Sequence, residues 1–268
     1  MTLRLRTSAC GSKRFSGSRT RVRRDTIPTM AVDVDVKKLL EAGAHFGHKT
    51  SRWHPRMSEY IHSKRGGSHI IDLTKTAAKL ESALQIIESN VADGKQVLIV
   101  GTKRQARPIA KQLAEATKQP YVTERWLGGM LTNRTTISGR IKYLKDLEAK
   151  MENGTLASRY SKLEVQRFQE EIDQLNHVYG GIKNMAARVG IVFVFDMTYD
   201  VNAVAEATKL GIPVIALADT NANPAKVTYP IPCNDDAIKA LQLVADYVQQ
   251  AIEAGASKHV KQADKTDA

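Results

Sequence analysis

Val97-Leu98-Ile99-Val100-Gly101-Thr102-Lys103-Arg104 decides the fold class. Four consecutive apolar residues have the length of a buried strand, and the glycine after them lets the chain turn into a helix. That helix shows itself in Ala106, Ile109, Ala110 and Leu113, which recur at helical spacing. Two more short apolar runs, Ile191 to Phe195 and Val214 to Ala218, are of the same kind. Strands at Gly190 to Phe195 and Pro213 to Leu217 bracket a helix at Val201 to Leu210, and Asn234 to Ala254 reads as the last helix. Strand alternating with helix predicts an α/β fold, a parallel sheet with helices on both faces.

Upstream, a short helix is expected from Asp35, ended by Gly43. Glu59 to Leu73 reads as two strands around the turn Lys64-Arg65-Gly66-Gly67. Leu80, Ala83, Leu84, Ile87 and Val91 predict an amphipathic helix over 75–92, closed by Asp93-Gly94. One stretch breaks the alternation. Ile137, Ile141 and Leu144 step by four and three; Val165, Phe168, Ile172, Leu175 and Tyr179 step by three and four; Asn153-Gly154 falls between. Two such seams predict a helical hairpin inserted between the early and late strands. It is either a plain bundle extension or a partner-binding arm. The expected division is a basic extension over 1–29, the α/β domain over 30–135 and 181–255, the hairpin over 136–180, and a flexible polar tail over 256–268.

Forty Lys and Arg against 28 Asp and Glu give a net charge of +12. Residues 1–29 hold eight of the basic residues and one acid, so the remainder is only mildly basic. A mild surplus fits nucleic-acid binding and ordinary solubility equally well. No run approaches the roughly 20 apolar residues of a membrane span. Two cysteines, Cys10 and Cys233, make no disulfide framework and point to a reducing compartment.

The chemistry-bearing positions are few. The strand-to-helix passage at Gly101 is where a doubly wound fold takes anions, yet neither glycine-rich nucleotide motif is present. Lys103 and Arg104 suit an RNA phosphate better there. Pro108 leaves the start of the following helix in doubt, since proline beyond the first turn breaks helices. Five of the seven histidines lie at 45, 48, 54, 62 and 69, but without a cysteine nearby and in a loop-like context they make a poor zinc site. Lys49, Arg52, Trp53 and Arg56 in the same region mix cations with an aromatic ring, which suits RNA backbone and unpaired bases; the plainer alternative is a solvated basic loop. Asp196 and Asp219 end two late strands, where an enzyme would place acid–base or metal-binding carboxylates, while Asp200 and Asn221 read as caps and turn formers. Arg125-Trp126-Leu127-Gly128-Gly129-Met130-Leu131-Thr132-Asn133 contains neither a general base nor a metal ligand. It offers a cation for phosphate, an indole for stacking and glycines for close approach. The plainer alternative is a Gly-Gly turn with Trp126 buried.

Together with Gly43-Ala44-His45-Phe46-Gly47-His48-Lys49, Gly67-Ser68-His69-Ile70-Ile71-Asp72-Leu73 and Asp219-Thr220-Asn221, that run resembles the ribosomal protein S2 family, bacterial type, continuously from about Val34 to Ala254. The resemblance implies a flavodoxin-like three-layer sheet with an inserted α-helical coiled-coil hairpin. It implies a structural constituent of the small ribosomal subunit, in the cytoplasm, with no cofactor, metal, small-molecule substrate or membrane. The implied partners are small-subunit ribosomal RNA and neighbouring proteins, including the large protein that captures messenger RNA. It also makes Met30 the expected start, against the alternative that 1–29 is an organellar presequence. The residues expected to meet RNA are Lys49, Arg52, Trp53, Arg56, Lys64, Arg65, Lys103, Arg104, Arg125, Trp126, Arg134 and Arg140. The rival is an α/β nucleotide-binding enzyme using the strand-end carboxylates.

Overall fold

Helix α1 (Val36–Glu41) starts at Asp35, whose carboxylate accepts from the Lys37 amide at 2.8 Å. Strands β1 (Phe46–Lys49), β2 (Ile61–Arg65) and β3 (Ser68–Ile71) then make a small antiparallel sheet in the order β1-β3-β2. The expected turn at Gly66-Gly67 joins β2 to β3, both glycines having positive φ. β1 is an addition to the sequence reading, which saw only a loop there; its Gly and two cationic residues mask any alternation. The computed structural model describes residues 34–186 and 188–266, so the basic stretch 1–29 lies outside the described residues.

Helix α2 (Leu73–Ala92) begins two residues earlier than its apolar period suggests, because Asp72 caps it through the Thr74 amide at 3.0 Å. The main sheet follows: β4 (Val97–Val100), helix α3 (Arg107–Thr117), β5 (Tyr121–Val122), helices α4 (Arg134–Glu152), α5 (Thr155–Arg159) and α6 (Lys162–Tyr179), then β6 (Ile191–Val194), helix α7 (Val201–Lys209), β7 (Val214–Ala218), β8 (Tyr229–Pro232) and helix α8 (Ile238–Thr266). Its five strands are parallel, in the order β5-β4-β6-β7-β8. Counted within the sheet this is 2-1-3-4-5, the flavodoxin-like order. β8 carries Pro230 and Pro232, which no strand pattern announces; it is tolerated because β8 lies at the sheet edge.

Every residue of β4, β6 and β7 is buried. Alternate side chains face opposite ways. Val97, Ile99, Phe193 and Ile215 pack on α2, α3 and α8; Leu98, Val100, Val192 and Val194 pack on α7 and the 126–131 segment. A fully buried side chain of this size contributes about 1.5–3 kcal/mol, so the two-sided sheet supplies most of the driving force.

Three expectations need correction. Pro108 sits in the first turn of α3, which begins at Arg107, so it breaks nothing. The polar tail expected after Ala256 is helical to Thr266, and His259 reaches the Ala92 carbonyl at 3.0 Å. Finally, Ile137 and Ile141 join the core under the sheet rather than a helical seam. The apolar contact between α4 and α6 is short: Leu144, Leu147 and Ile172 are buried there, with Phe168, Leu175 and Tyr179 alongside.

Candidate nucleic-acid interface and the carboxylate cluster at the strand ends

In the 2-1-3-4-5 order the strand direction of travel reverses between β4 and β6, and ligands of such folds sit in the crevice beyond those strand ends. Here the chain fills that crevice itself. A Cβ on Gly101 would lie 2.9 Å from Ala110 and 3.1 Å from Phe195, so the glycine serves close packing of α3 on β6. Asp200, at the start of α7, accepts from the Thr102 hydroxyl at 2.6 Å and its amide at 3.3 Å. Lys103 Nζ lies 3.1 Å from Asp196, 2.9 Å from Asp235 and 2.8 Å from Asp236. Burial opposes the charge on Lys103, but these carboxylates prevail and raise its pKa. Lys103 is therefore an internal counter-ion and not, as its sequence position suggested, a phosphate ligand. A nucleotide phosphate placed here would meet three carboxylates.

The small sheet closes over the next strand end. A Cβ on Gly47 would fall 2.5 Å from the Thr220 methyl, and the His48 amide donates to the Thr220 hydroxyl at 2.9 Å. That docking brings His48 Nδ1 to 2.8 Å from Asp219. The hydrogen bond with Asp219 raises the His48 pKa against the effect of burial. Asp235 is pushed up to about 7 by burial and by the charges of Asp196 and Asp219. His48, Asp219 and Asp235 place one ligand atom each within 4.8 Å of one another. This set is not the histidine cluster of the sequence. His45 stacks on Phe46 at 4.0 Å, His69 is buried beside Trp53 at 5.2 Å, and His54 accepts from the Arg56 amide. Nothing in sequence spacing joins His48 to two aspartates some 170 residues away or more, and Lys103 already supplies positive charge to Asp235.

The remaining cations are scattered. Lys49, Arg52, Arg56, Lys64 and Arg65 are exposed on the small sheet and its turns. Lys49 and Arg52 border a cleft that also holds Asp219 and Asp236. Lys64 Nζ sits 5.9 Å from the ring centre of the half-buried Trp53. Arg104, Arg125 and Arg140 are exposed; Arg134 is half-buried and donates to the Ala186 carbonyl at 2.7 Å. The fold thus gathers the residues of the small sheet but leaves Arg104 and Arg125 in two separate loops and Arg134 and Arg140 on α4.

Trp126 points inward, at 7% exposure, so the stacking role expected of it is corrected in favour of the buried alternative. Its indole Nε1 donates to Glu206 Oε1 at 3.0 Å, and the Gly129 amide donates to the same oxygen at 2.7 Å. Glu206 Oε2 accepts from the amides of Leu131 at 3.0 Å and Thr132 at 3.1 Å, and from the Thr132 hydroxyl at 3.1 Å. Gly129, at φ +86°, aims these donors at one point. Successive backbone N–H groups turned inward make an anion nest. The anion that this nest holds is the chain's own Glu206, from α7. Burial would raise the Glu206 pKa, but the donors outweigh it and hold it below the usual range. Glu206 has no local signature in the sequence, being an ordinary helix residue 74–80 positions away from its donors.

Comparison with known proteins agrees with the fold. A family model described as Ribosomal protein S2 matches residues 39–255. The chain is 47% identical over 218 residues to small ribosomal subunit protein uS2 of Dehalococcoides mccartyi, covering 81% of this chain and 89% of the relative. It is 48% identical over 222 residues to the protein of that name from Picosynechococcus sp., covering 83% and 86%. With that of Chloroflexus aurantiacus it shares 47% over 218 residues, covering 81% and 91%.

Proposed function

The chain belongs to the ribosomal protein S2 family, and on that premise we propose that it is a structural constituent of the small ribosomal subunit that holds ribosomal RNA through backbone charge. It is not an enzyme, since the family is one of ribosomal structural proteins, and the carboxylates that a catalytic reading would use are engaged by Lys103, Thr102 and His48. The same occupancy removes the nucleotide-binding alternative at Gly101. No described helix is long and apolar enough to cross a membrane.

The observation that carries the RNA reading is the contrast between two sets of cations. Lys103, Arg107 and Lys183 are paired with carboxylates, whereas Lys49, Arg52, Arg56, Lys64, Arg65, Arg104, Arg125, Arg134 and Arg140 have no carboxylate partner among the described residues. Cations that no carboxylate of the fold neutralises are what a phosphate backbone recruits. If about five of them neutralise phosphates, the log–log slope of RNA affinity against salt is near −4 to −5. A salt titration with a small-subunit RNA transcript, together with co-sedimentation with small subunits, tests this; a slope near zero or failure to co-sediment overturns it. Neighbouring small-subunit proteins, among them the large protein that captures messenger RNA, are the protein partners of this reading.

Helices α4 to α6 complete it as a coiled-coil hairpin inserted into the α/β domain, presented to a partner in the subunit. Since Ile137 and Ile141 belong to the core under the sheet, the separable part is shorter than 136–180. Replacing residues 144–172 by a short Gly-Ser linker is expected to leave a cooperatively melting core that no longer assembles fully. Loss of the melting transition would show that the helices and the sheet share one core.

A further inference from the structure

We propose that the pocket lined by Leu131, Thr132, Arg134, Arg188, Val189 and Ile212 holds one unpaired nucleotide of ribosomal RNA, its phosphate on the two arginines and its base on the apolar wall. The site rests on the RNA-binding reading above and gives that reading a location. It lies where β6 and β7 begin, at the opposite end of the sheet from the carboxylate cluster.

Four observations converge there. First, the pocket has a volume of about 440 Å³, and a second cleft sharing Arg188, Val189 and Ile212 adds Lys95 beside it. Second, the Arg134 guanidinium is partly withdrawn from water, which lowers its pKa, and its one partner among the described residues is a neutral carbonyl. Neither Arg134 nor Arg188 has a carboxylate within ion-pairing distance among the described residues. A desolvated cation without an anion is costly until something supplies one. Third, two arginines present planar forks that match phosphate oxygens. Fourth, one wall is held rigidly: the backbone amides of Leu131 and Thr132 donate hydrogen bonds to Glu206, so little ordering remains to be done on binding. The apolar wall selects for an unpaired nucleotide, because a duplex presents its phosphates while keeping its base faces stacked.

The test uses the full chain and a small-subunit RNA transcript. Arg188→Gln breaks no bond to the described residues and is expected to melt as the parent does. It should weaken RNA binding about five- to tenfold and flatten the log–log salt slope by about 0.7–0.9, one phosphate contact. Arg134→Gln should act in the same direction, and because the two arginines share one phosphate the double variant should flatten the slope no further than the loss of that one contact. RNA carrying 4-thiouridine should crosslink within 131–134 or 188–190. Inorganic phosphate and uridine monophosphate at millimolar concentration should leave the melting temperature unchanged; tight binding of either, with RNA affinity indifferent to the arginines, overturns the proposal in favour of a free-nucleotide site. Arg52→Gln/Arg56→Gln, on the far loop, separates the two levels of the argument. If that variant weakens RNA binding while Arg134→Gln and Arg188→Gln do not, the pocket falls and the RNA reading stands. If the parent itself binds no RNA, the RNA reading falls.

Discussion

Replacing Glu206 by alanine is expected to destabilise the protein by about 3–5 kcal/mol, among the largest losses any single substitution here can produce. The carboxylate accepts from Trp126, Gly129, Leu131 and, twice, from Thr132. Each charge-assisted bond is worth about 1.5–3 kcal/mol, and they do not add fully because one group makes them all. The larger cost comes from what remains: an indole N–H and amides of a partly buried turn with no acceptor. In a domain of this size the loss corresponds to a fall of roughly 10 °C in melting temperature. Glutamine should fall between, since its NH2 would face amide donors where a carboxylate oxygen now accepts. Because the folded carboxyl titrates below its usual range, its contribution is present above the unfolded pKa and is lost as pH falls through the folded one. The parent and Glu206→Ala should therefore converge in stability on acidification below about pH 4. Hydrogen exchange gives a local reading: the Gly129, Leu131 and Thr132 amides should lose protection before the strands do. An alanine variant that melts with the parent and keeps those amides protected would show that the turn holds itself.

Glu206 also marks where sequence stops being informative. The β4-Gly101-α3 passage was legible because burial on both faces demands an unbroken apolar run, and a run of four has one sensible structure. The helices were legible through their periods, and their errors lay at the ends, where caps rather than periods decide: Asp72 for α2, Pro108 for α3. β5 and β8 were not legible. One has two residues and the other two prolines, and each exists because a neighbouring strand offers a ladder. The functional residues divide in the same way. That Arg125 to Asn133 grips something follows from its composition. That it grips Glu206 does not, because a carboxylate on a distant helix face looks like any solvated charge. Likewise Lys103 after a strand-end glycine reads as a phosphate ligand until folding brings Asp196, Asp235 and Asp236 to it. A cation's role depends on which anions the fold delivers, and contacts spanning a hundred residues leave no trace in local spacing.

Replacing Lys103 by methionine is expected to cost about 3–5 kcal/mol as well, by the opposite route. The substitution keeps the volume of the stem but strips Asp196 and Asp235, at 3% and 1% exposure, of their cation. Buried carboxylates left unpaired either repel or take up protons. Asp235 already titrates near 7 because burial and its acidic neighbours outweigh the lysine; without the lysine it must rise further. An acid whose folded pKa is raised holds its proton where the unfolded chain has released it, so stability falls as pH climbs from the unfolded value towards the folded one. The gap between parent and Lys103→Met should consequently be wide at pH 8 and narrower at pH 5. Adding Asp235→Asn to Lys103→Met should recover part of the loss, with a coupling of about 1–3 kcal/mol in the double-mutant cycle. RNA binding supplies the functional contrast. If Lys103 is an internal counter-ion, Lys103→Met measured below its melting temperature should bind a small-subunit transcript with the parent's affinity and salt slope. A slope flatter by about one unit would return Lys103 to the phosphate-binding surface.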